Sequence, residues 1–455
     1  MDARFDHAVV MGGSLAGLLA ARVLTDRFAR VTLVERDALP DGAANRRGVP
    51  QGVHTHGLLA GGSRALEQLF PGFARALVID GALPGDIVRD FRWFFEGAPL
   101  ARPASGMDGL IASRPFLEAA VRRRVRALPA VTTLDGTHVS GLTATAGRGR
   151  VTGVTLADGR TLDADLVVDA SGRGSRTPRW LAASGYQAPR EERIEIGLGY
   201  TTRLFRREPA HLDGDLGTVV PPTPHGKRGG VMAAQEGGRW TVTLISHFVP
   251  PAPLDLDGFR HFAAALPSPD IHAVVRDAVP MGEAMTSRFP ASLRRRYEQL
   301  WQFPERLVVI GDAICSFNPI YGQGMSVAAL EALALGDVLR DGLADVGPRF
   351  FTKAAPIVDT PWATAAGNDL RMPETSGARS PIAPLLNAYV ARLQRAAHAD
   401  ADLAIAFMGV TNLIAPPSAL FAPRTVWRVL RTGTAPEPAR ARARAFDSSP
   451  VQKGV

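Results

Sequence analysis

The chain has 455 residues, of which 46% are hydrophobic and 21% charged, proportions that are typical of a soluble globular protein and exclude a fibrous or disordered one. Its net charge is +8, from 52 Lys and Arg against 44 Asp and Glu, but no interleaved aromatic and basic pattern indicates nucleic-acid binding. The single cysteine, Cys315, excludes an intrachain disulfide and a cysteine-based metal site, which suits a reducing cytoplasm.

The first predicted element is an apolar strand that turns on glycine and continues into an alanine-rich helix, Val9-Val10-Met11-Gly12-Gly13-Ser14-Leu15-Ala16-Gly17-Leu18-Leu19-Ala20-Ala21. A dinucleotide-binding turn needs this order, because the helix N-terminus offers free N–H groups to a pyrophosphate. Gly12 permits the tight turn, and Gly17 lets the helix pack closely on the strand. Ser14 stands where the usual motif has its second glycine, which leaves an ordinary glycine-rich turn as the alternative.

A second apolar strand ends in an acidic residue, Glu35, about 20 residues after the first turn, where a ribose-binding carboxylate is expected. A glycine-rich polar segment follows and includes residues 46–56, which we expect to lie along the cofactor. His54 and His56 alternate within it without a third ligand nearby. We therefore expect these histidines to satisfy backbone groups or line a channel, and we predict no metal site.

In the middle of the chain, predicted helices alternate with predicted strands. Helices are expected at 63–70, at 257–266, at 270–277 and from Arg114 to about residue 128, with Ser113 as the N-cap of the last. Short strands are expected at 86–100 and 131–168, and the alternation of 194–247 predicts an antiparallel sheet that forms a second domain. The aromatic residues of the first of these strand regions fit the core as well as a substrate wall: Phe91, Trp93, Phe94 and Phe95.

The last third begins with another apolar strand, 307–310, which runs into Gly311-Asp312 and then a long helix from about Ser326 to Leu339. Residues 349–430 are predicted to be mostly helical, with proline-broken connections. The longest uncharged run, 403–423, contains polar residues and two prolines, so we expect a packed helix ending near Ala415 rather than a membrane span. Residues 433–455 are predicted to form a flexible tail.

Three glycine-bearing turns thus follow apolar strands, at Gly12–Gly17, Gly172–Ser175 and Gly311–Gly324. In this order and spacing they resemble the flavoprotein hydroxylase superfamily typified by para-hydroxybenzoate hydroxylase. Within this superfamily the chain most resembles the flavin epoxidases of bacterial polyether pathways, the lasalocid and monensin type. These enzymes are relatives of squalene epoxidase, and the resemblance to them is carried by the segments 47–56, 168–175 and 311–326. The similarity extends from about residue 8 to about 430.

The resemblance implies an α/β fold: a Rossmann-like FAD-binding domain with an inserted antiparallel substrate domain and a helical C-terminal region. The expected limits are 1–85, 110–180 and 295–345 for the FAD-binding domain, 86–109 and 181–294 for the substrate domain, and 346–432 for the helical region. In the family the first turn holds the FAD pyrophosphate, and the aspartate of the third, here Asp312, binds the ribityl chain. Departing from the family pattern, the Asp-Gly motif of the second turn is split by two residues between Asp169 and Gly172.

The residues expected to contact FAD are Gly12, Gly13, Ser14, Leu15, Ala16, Gly17, Glu35, Arg36, Arg47, Gly48, Gln51, Arg114, Val139, Asp169, Gly172, Gly311, Asp312, Pro319, Gly322, Gln323, Gly324 and Met325. Phe317, Asn318 and Pro319 are expected beside the flavin ring. No catalytic side chain is expected, because in this family the cofactor does the chemistry. Cys315 is expected to be a small buried residue rather than a flavin attachment point.

The activity implied is that of an FAD-dependent monooxygenase. It would use O2 and NAD(P)H, directly or through a flavin reductase, to form a flavin C4a-hydroperoxide that epoxidises a lipophilic olefin in secondary metabolism, as in antibiotic biosynthesis. Aromatic hydroxylation and geranylgeranyl-type reduction are the alternatives, as is a halogenase, although its Trp-x-Trp-x-Ile-Pro segment is absent. A non-enzymatic flavin carrier is a fourth. We expect a cytoplasmic protein with a lipophilic small-molecule substrate, no nucleic-acid partner and no integral membrane segment.

Overall fold

The computed structural model describes residues 5–432, so the predicted tail lies outside the described residues. The strands are β1 Phe5–Met11, β2 Phe28–Val34, β3 Leu83–Asp86, β4 Phe91–Phe95, β5 Ala98–Pro99, β6 Asp108–Ile111, β7 Val131–Leu134, β8 Val139–Ala144, β9 Val151–Leu156, β10 Thr161–Asp163, β11 Leu166–Asp169, β12 Arg190–Arg206, β13 Gly217–Val220, β14 Arg228–Gln235, β15 Arg239–His247, β16 Pro280–Arg296, β17 Leu307–Val309 and β18 Cys315–Ser316. The helices are α1 Leu15–Leu24, α2 Ala60–Leu69, α3 Phe73–Ile79, α4 Arg114–Arg126, α5 Thr177–Ala183, α6 Leu256–Ala264, α7 Asp270–Val275, α8 Gly324–Leu339, α9 Val346–Asp369, α10 Ala383–Ala396, α11 Ala401–Thr411 and α12 Pro423–Arg431.

A five-stranded parallel sheet carries the three glycine turns. Its order is β17-β11-β1-β2-β7, and every neighbouring pair is parallel. The three turns follow β1, β11 and β17, which are adjacent in the sheet, and therefore emerge together at its carboxyl edge. That edge is where ligands bind in open α/β sheets.

Helix α1 packs against both α4 and α8 on one face of this sheet. It consists mainly of leucine and alanine, which favour helix, and it is buried on nearly every side. Leu18 and Leu19 are fully enclosed in the largest hydrophobic core, together with Leu335 of α8. The helix that follows the first turn is thus fixed by its neighbours along its whole length.

The second large sheet has eight strands in the order β18-β16-β12-β15-β14-β13-β4-β5. All its pairs are antiparallel except β13 with β4, which run parallel. Successive side chains of β15 point to opposite faces of the sheet. Val242 and Leu244 point into a core completed by α6 and α7, whereas Thr243 and Ile245 face a large internal cavity.

The C-terminal region differs from expectation at two points. The prolines at 356 and 361 do not break α9, which runs through both of them. A proline inside a helix costs about 3 kcal/mol, and here the buried face that includes Phe350, Val358 and Trp362 offsets that cost. The uncharged run forms α11, which ends at Thr411 rather than near Ala415.

Together the parallel and mainly antiparallel sheets confirm the predicted α/β class with a Rossmann-like region. Within residues 5–432, none of the helices is both long and apolar enough to cross a membrane.

Candidate functional site

A cavity of about 1460 Å³ lies between the carboxyl edge of the parallel sheet, the second sheet and the C-terminal helices. We call it the central cavity. Most residues predicted to contact the cofactor line it: Gly12, Ser14, Leu15, Ala16, Glu35, Arg36, Gly48, Gln51, Arg114, Val139, Gly172, Asp312, Phe317, Asn318, Pro319, Gly322, Gln323, Gly324 and Met325. Five others do not line it: Gly13, Gly17, Arg47, Asp169 and Gly311.

The first glycine turn has no room for a side chain at Gly12 or at Gly17. Gly12 has a φ of +106°, and a Cβ there would lie 2.5 Å from the carbonyl oxygen of Ala170. A Cβ on Gly17 would lie 1.7 Å from the carbonyl oxygen of Gly12. Gly17 therefore supports the turn from behind, although it is not part of the cavity wall.

Buried charges surround this turn. Glu35 accepts a hydrogen bond of 2.7 Å from the amide of Gly13 and lies 3.3 Å from the guanidinium of Arg46. Arg46 also donates to Glu118 of α4 at 3.0 Å. Arg47, which was predicted to contact FAD, is exposed and does not line the cavity, whereas Arg46 takes the inward position.

Glu118 and Asp37 are two residues of this network that the sequence analysis missed. Glu118 accepts from the hydroxyl of Ser14 at 3.0 Å, and Asp37 accepts from the amide of Gly48 at 2.6 Å. The charged network therefore fixes the polar loop after β2 against the first turn. An acid one turn after Arg114 on the same helix was the available signal for Glu118.

Arg114 begins α4 and projects toward the first turn. It donates to the hydroxyl of Ser14 at 3.1 Å, and its Nε has no partner among the described residues. Burial lowers the pKa of its guanidinium, opposed by the nearby carboxylates of Glu118 and Asp312. A buried cation with a free donor is suited to an anionic ligand such as a phosphate.

Asp169, predicted to contact FAD, instead holds the second turn together. It is fully buried and accepts hydrogen bonds from the hydroxyls of Ser171, Ser175 and Thr177, each at 2.5 Å. Its carboxylate is thus used within the turn, and Gly172 faces the cavity in its place. The run of hydroxyl residues after Asp169 was the signal for this role.

The third turn brings Asp312 into the cavity. Gly311 has a φ of +70°, and a Cβ there would lie 2.7 Å from the Cβ of Ala16, so the third turn packs directly on α1. Burial raises the pKa of Asp312, while the positive charges of Arg114 and Arg173 oppose the rise. Asp312 therefore lies at the carboxyl edge near two cationic groups, one at the start of α4 and one in the second turn.

The segment after Asp312 is fixed by side-chain caps. Asn318 is buried, accepts from the amide of Ile320 at 3.1 Å and donates to Asp369 at 2.7 Å. Gln323 is also buried, and its Oε1 has no partner among the described residues. Asp369, at the end of α9, was not foreseen because no local motif surrounds it.

The rest of the cavity wall is mostly apolar. All four aromatic residues predicted as core or wall line the cavity, and Phe91 is also buried in a small hydrophobic core with Ile111 and Ala233. The second sheet and the C-terminal helices complete this surface with Val231, Ala233, Ile245, Val390, Phe407, Val410, Leu420 and Phe421. Cys315 is buried as expected and does not line the cavity, and burial raises the pKa of its thiol.

These residues fit FAD. The glycine turn can present backbone amides to a pyrophosphate, whereas a side chain at Gly12 would collide with the backbone of Ala170 and displace the turn. The unpartnered Nε of Arg114 offers the pyrophosphate a further donor. The carboxylate of Asp312 can accept hydrogen bonds from a polyol such as the ribityl chain of FAD. Farther along the same segment, the Oε1 of Gln323 is an acceptor without a partner among the described residues. FAD, when bound, supplies the activation of O2, for which protein side chains have no equivalent.

Fold and site together define a flavoprotein of the Rossmann type with an attached substrate sheet. The sequence model of the tryptophan halogenase family matches residues 117–190. Protein Rv3254 of Mycobacterium tuberculosis is 37% identical over 72% of this chain and 71% of its own. The 6-methylpretetramide 4-monooxygenase of Streptomyces rimosus is 29% identical over 78% of this chain and 80% of its own. The solved structure of p-nitrophenol 4-monooxygenase PnpA from Pseudomonas putida shares the fold, with a TM-score of 0.62 at 18% identity over 91% of this chain and all of that one.

The chain therefore belongs to the flavin-dependent monooxygenase family. It is an FAD-dependent enzyme of a class that uses O2 and NAD(P)H.

Replacing Glu35 tests the ribose assignment. Glu35→Ala is expected to weaken FAD binding by about 1–2 kcal/mol, because a charged hydrogen-bond acceptor is lost. Flavin fluorescence quenching during titration of the apoprotein measures this change. Glu305→Ala removes a half-exposed carboxylate that pairs with Arg150 and serves as the control. Equal FAD affinity in wild type and Glu35→Ala would show that the ribose lies elsewhere.

Glu331 of α8 gives the apoprotein a pH-dependent stability. It accepts from the amide of Gly311 at 2.7 Å, and burial raises its pKa to about 8. The folded chain thus holds a proton that the unfolded chain releases near its ordinary pKa of 4.5. This contribution to the free energy of unfolding is complete below about pH 4 and is lost as the pH rises toward 8.

Glu331→Gln should therefore match the wild type in Tm at pH 4 and exceed it at pH 8. The scale is about 1.4 kcal/mol for each unit by which the pKa is raised. Thermal unfolding of both apoproteins across this range measures the difference. A difference in Tm that stays constant with pH would contradict the raised pKa.

Proposed function

We propose that this monooxygenase epoxidises a lipophilic olefin, polyketide-like or terpenoid-like, in secondary metabolism. The observation that carries the proposal is the apolar wall of the central cavity, which three separate parts of the chain build. Burying an extended hydrocarbon against such a wall is favourable by about 25 cal/mol per Å² of apolar surface. A small charged acid would gain little from it.

The reaction is balanced with one O2 and one reduced nicotinamide. One oxygen atom adds across the carbon–carbon double bond to form the epoxide, and the other leaves as water. NAD(P)H and a proton supply the two electrons and the hydrogen that water formation needs. The chain's own part is to hold the olefin, to exclude water with the apolar wall and to bind FAD through the residues of the three turns.

Within this proposal the residues that line the cavity near the turns hold FAD. Arg114 and the first turn take the pyrophosphate, Glu35 the ribose and Asp312 the ribityl chain. Phe317, Asn318 and Pro319 lie beside the ring. Gly13, Gly17 and Gly311 support these contacts from behind, as does Asp169, while Arg47 contributes no contact.

Hydroxylation of an aromatic ring is the second candidate. It is favoured by the relatives themselves, which include a 6-methylpretetramide 4-monooxygenase and two kynurenine 3-monooxygenases. The same wall could hold a polycyclic aromatic substrate. Reduction of a geranylgeranyl-type double bond, the remaining alternative from the sequence, would need no O2 and would contradict the monooxygenase class; it is the third outcome that the test distinguishes.

Product analysis distinguishes the three candidates. FAD-loaded enzyme is incubated with NADPH, with or without a flavin reductase, and with a panel of linear polyenes and aromatic substrates under isotopically labelled O2. We expect mass spectrometry to find one labelled oxygen in an epoxide from a polyene. A labelled phenol with unreacted polyenes would overturn epoxidation in favour of ring hydroxylation. A saturated, unlabelled product would identify a reductase.

A further inference from the structure

A polar cluster interrupts the apolar wall of the central cavity. It consists of Asp369, Asn318, Tyr321, Tyr200 and His54, and we call it the Asp369 cluster. The Oδ1 of Asp369 accepts from the side-chain amide of Asn318 at 2.7 Å and from the hydroxyl of Tyr321 at 3.0 Å. The rings of Tyr200 and His54 pack at 5.3 Å between centroids. All five residues line the cavity.

Three polar atoms of this cluster remain open. Asp369 Oδ2 and Nε2 of His54 have no hydrogen-bond partner among residues 5–432. The hydroxyl of Tyr200 has only the nearby backbone amide of Ile320, which leaves its own proton without an acceptor. The side chains of Asp369, His54 and Tyr200 are 2%, 6% and 5% exposed. Leaving a buried polar atom without a partner costs about 1–3 kcal/mol. A ligand that supplies partners for these atoms is therefore favoured over one that does not.

The cluster is uncharged between about pH 5 and pH 6, which is above the pKa of His54 and below that of Asp369. Burial raises the pKa of Asp369 to about 7 and that of Tyr200 well above its ordinary value, and it lowers the pKa of His54 to about 4. Arg371 is the nearby cation and is paired with Glu96 at 3.1 Å. The cluster thus offers neutral hydroxyl and imidazole groups rather than a site for an anion.

We propose that the Asp369 cluster binds an uncharged oxygen, a hydroxyl or carbonyl group, carried by an otherwise lipophilic substrate. The unpartnered atoms include both hydrogen-bond donors and acceptors, so the cluster can form hydrogen bonds with either a hydroxyl or a carbonyl group. A carboxylate is disfavoured because its charge would be buried in a mostly apolar cavity, where the nearby Arg371 is already paired with Glu96. The proposal rests on the proposed function in that the lipophilic substrate occupies the central cavity, and it adds that this substrate is not a pure hydrocarbon.

Four probes that share one farnesyl-type skeleton test this subsite: farnesol, farnesal, farnesoic acid and the hydrocarbon farnesene. Each is titrated into the FAD-loaded protein at pH 6, and binding is followed by the change in flavin absorbance. We expect farnesol and farnesal to bind about tenfold more tightly than farnesene, the scale of one or two net hydrogen bonds, with farnesoic acid weakest.

Substitutions in the Asp369 cluster test whether it causes the preference for farnesol over farnesene. Asp369→Leu and Tyr200→Phe should reduce the preference for farnesol over farnesene to about twofold or less. We expect the wild type to bind farnesal more weakly at pH 8 than at pH 6, because Asp369 loses its proton in this range. Asp369→Asn keeps a donor and an acceptor, so it should keep the preference and lose this pH dependence. Tyr186→Phe removes a hydroxyl that donates to the backbone of Arg148 outside the cavity and should match the wild type.

The possible results distinguish a failure of the proposed subsite from a failure of the proposed function. Equal affinity for farnesol and farnesene would overturn the subsite while leaving the lipophilic substrate in place. No spectral change with any probe would overturn the lipophilic substrate and the subsite with it. FAD affinity is measured for each variant by fluorescence quenching. A loss of FAD affinity in Asp369→Asn would show that the cluster acts on the cofactor through Asn318, which also overturns the proposal.

Discussion

Gly17→Ala is expected to abolish measurable FAD binding and to lower the Tm of the apoprotein. The added methyl group would lie 1.7 Å from the carbonyl oxygen of Gly12, and a backbone atom cannot move aside as a flexible side chain can. Either α1 shifts away from β1 or the first turn opens, and both displace the phosphate-binding amides. Overpacking of this kind costs about 3 kcal/mol, which for a chain of this length corresponds to a fall in Tm of roughly 3 °C.

Gly336→Ala is the matched control for this substitution. Gly336 also lies in a helix, α8, and a Cβ there would be 3.6 Å from Val23 of α1, an ordinary contact distance. The alanine should therefore raise helix stability slightly and leave FAD binding unchanged. If Gly17→Ala bound FAD as Gly336→Ala does, the close approach of α1 to the first turn would not matter for the cofactor.

Asp312→Ala is expected to weaken FAD binding by about 1.5–3 kcal/mol, the scale of a hydrogen bond to a charged group. In dissociation constants this is roughly a 10- to 150-fold increase. The Tm of the apoprotein should not fall, because burial raises the pKa of Asp312 and so disfavours its charged form in the folded chain. Titration with FAD and thermal unfolding of the apoprotein measure the two effects separately.

Asp341→Ala removes an exposed aspartate that follows α8 and should leave both quantities unchanged. Asp312→Asn is the conservative variant: it keeps an acceptor for a ribityl hydroxyl and should recover part of the affinity. Unaltered FAD affinity in Asp312→Ala would mean that the third turn does not hold the ribityl chain. A large fall in apoprotein Tm would instead assign a structural role to this carboxylate.

Parts of the site that depend on a few consecutive residues, such as the strand–glycine turns, could be predicted from the sequence. An apolar strand followed by glycines has few alternatives, because a positive φ at Gly12 or Gly311 and the close packing behind Gly17 demand glycine locally. The fold class and the carboxyl-edge position of Asp312 followed from these short patterns. So did the alternation that builds the second sheet, since strand periodicity is also a local property.

Tertiary structure decided which side chains face the cavity and which partners they have. Arg46 and Arg47 are adjacent and chemically alike, and only the carboxylates of Glu35 and Glu118 determine which one turns inward. Asp169 is satisfied within its own turn by hydroxyl groups, whereas Asp369 meets Asn318 across about fifty residues of chain. Such contacts depend on the packing of distant elements, because hydrogen bonds and burial are set in space and leave no fixed spacing in the sequence.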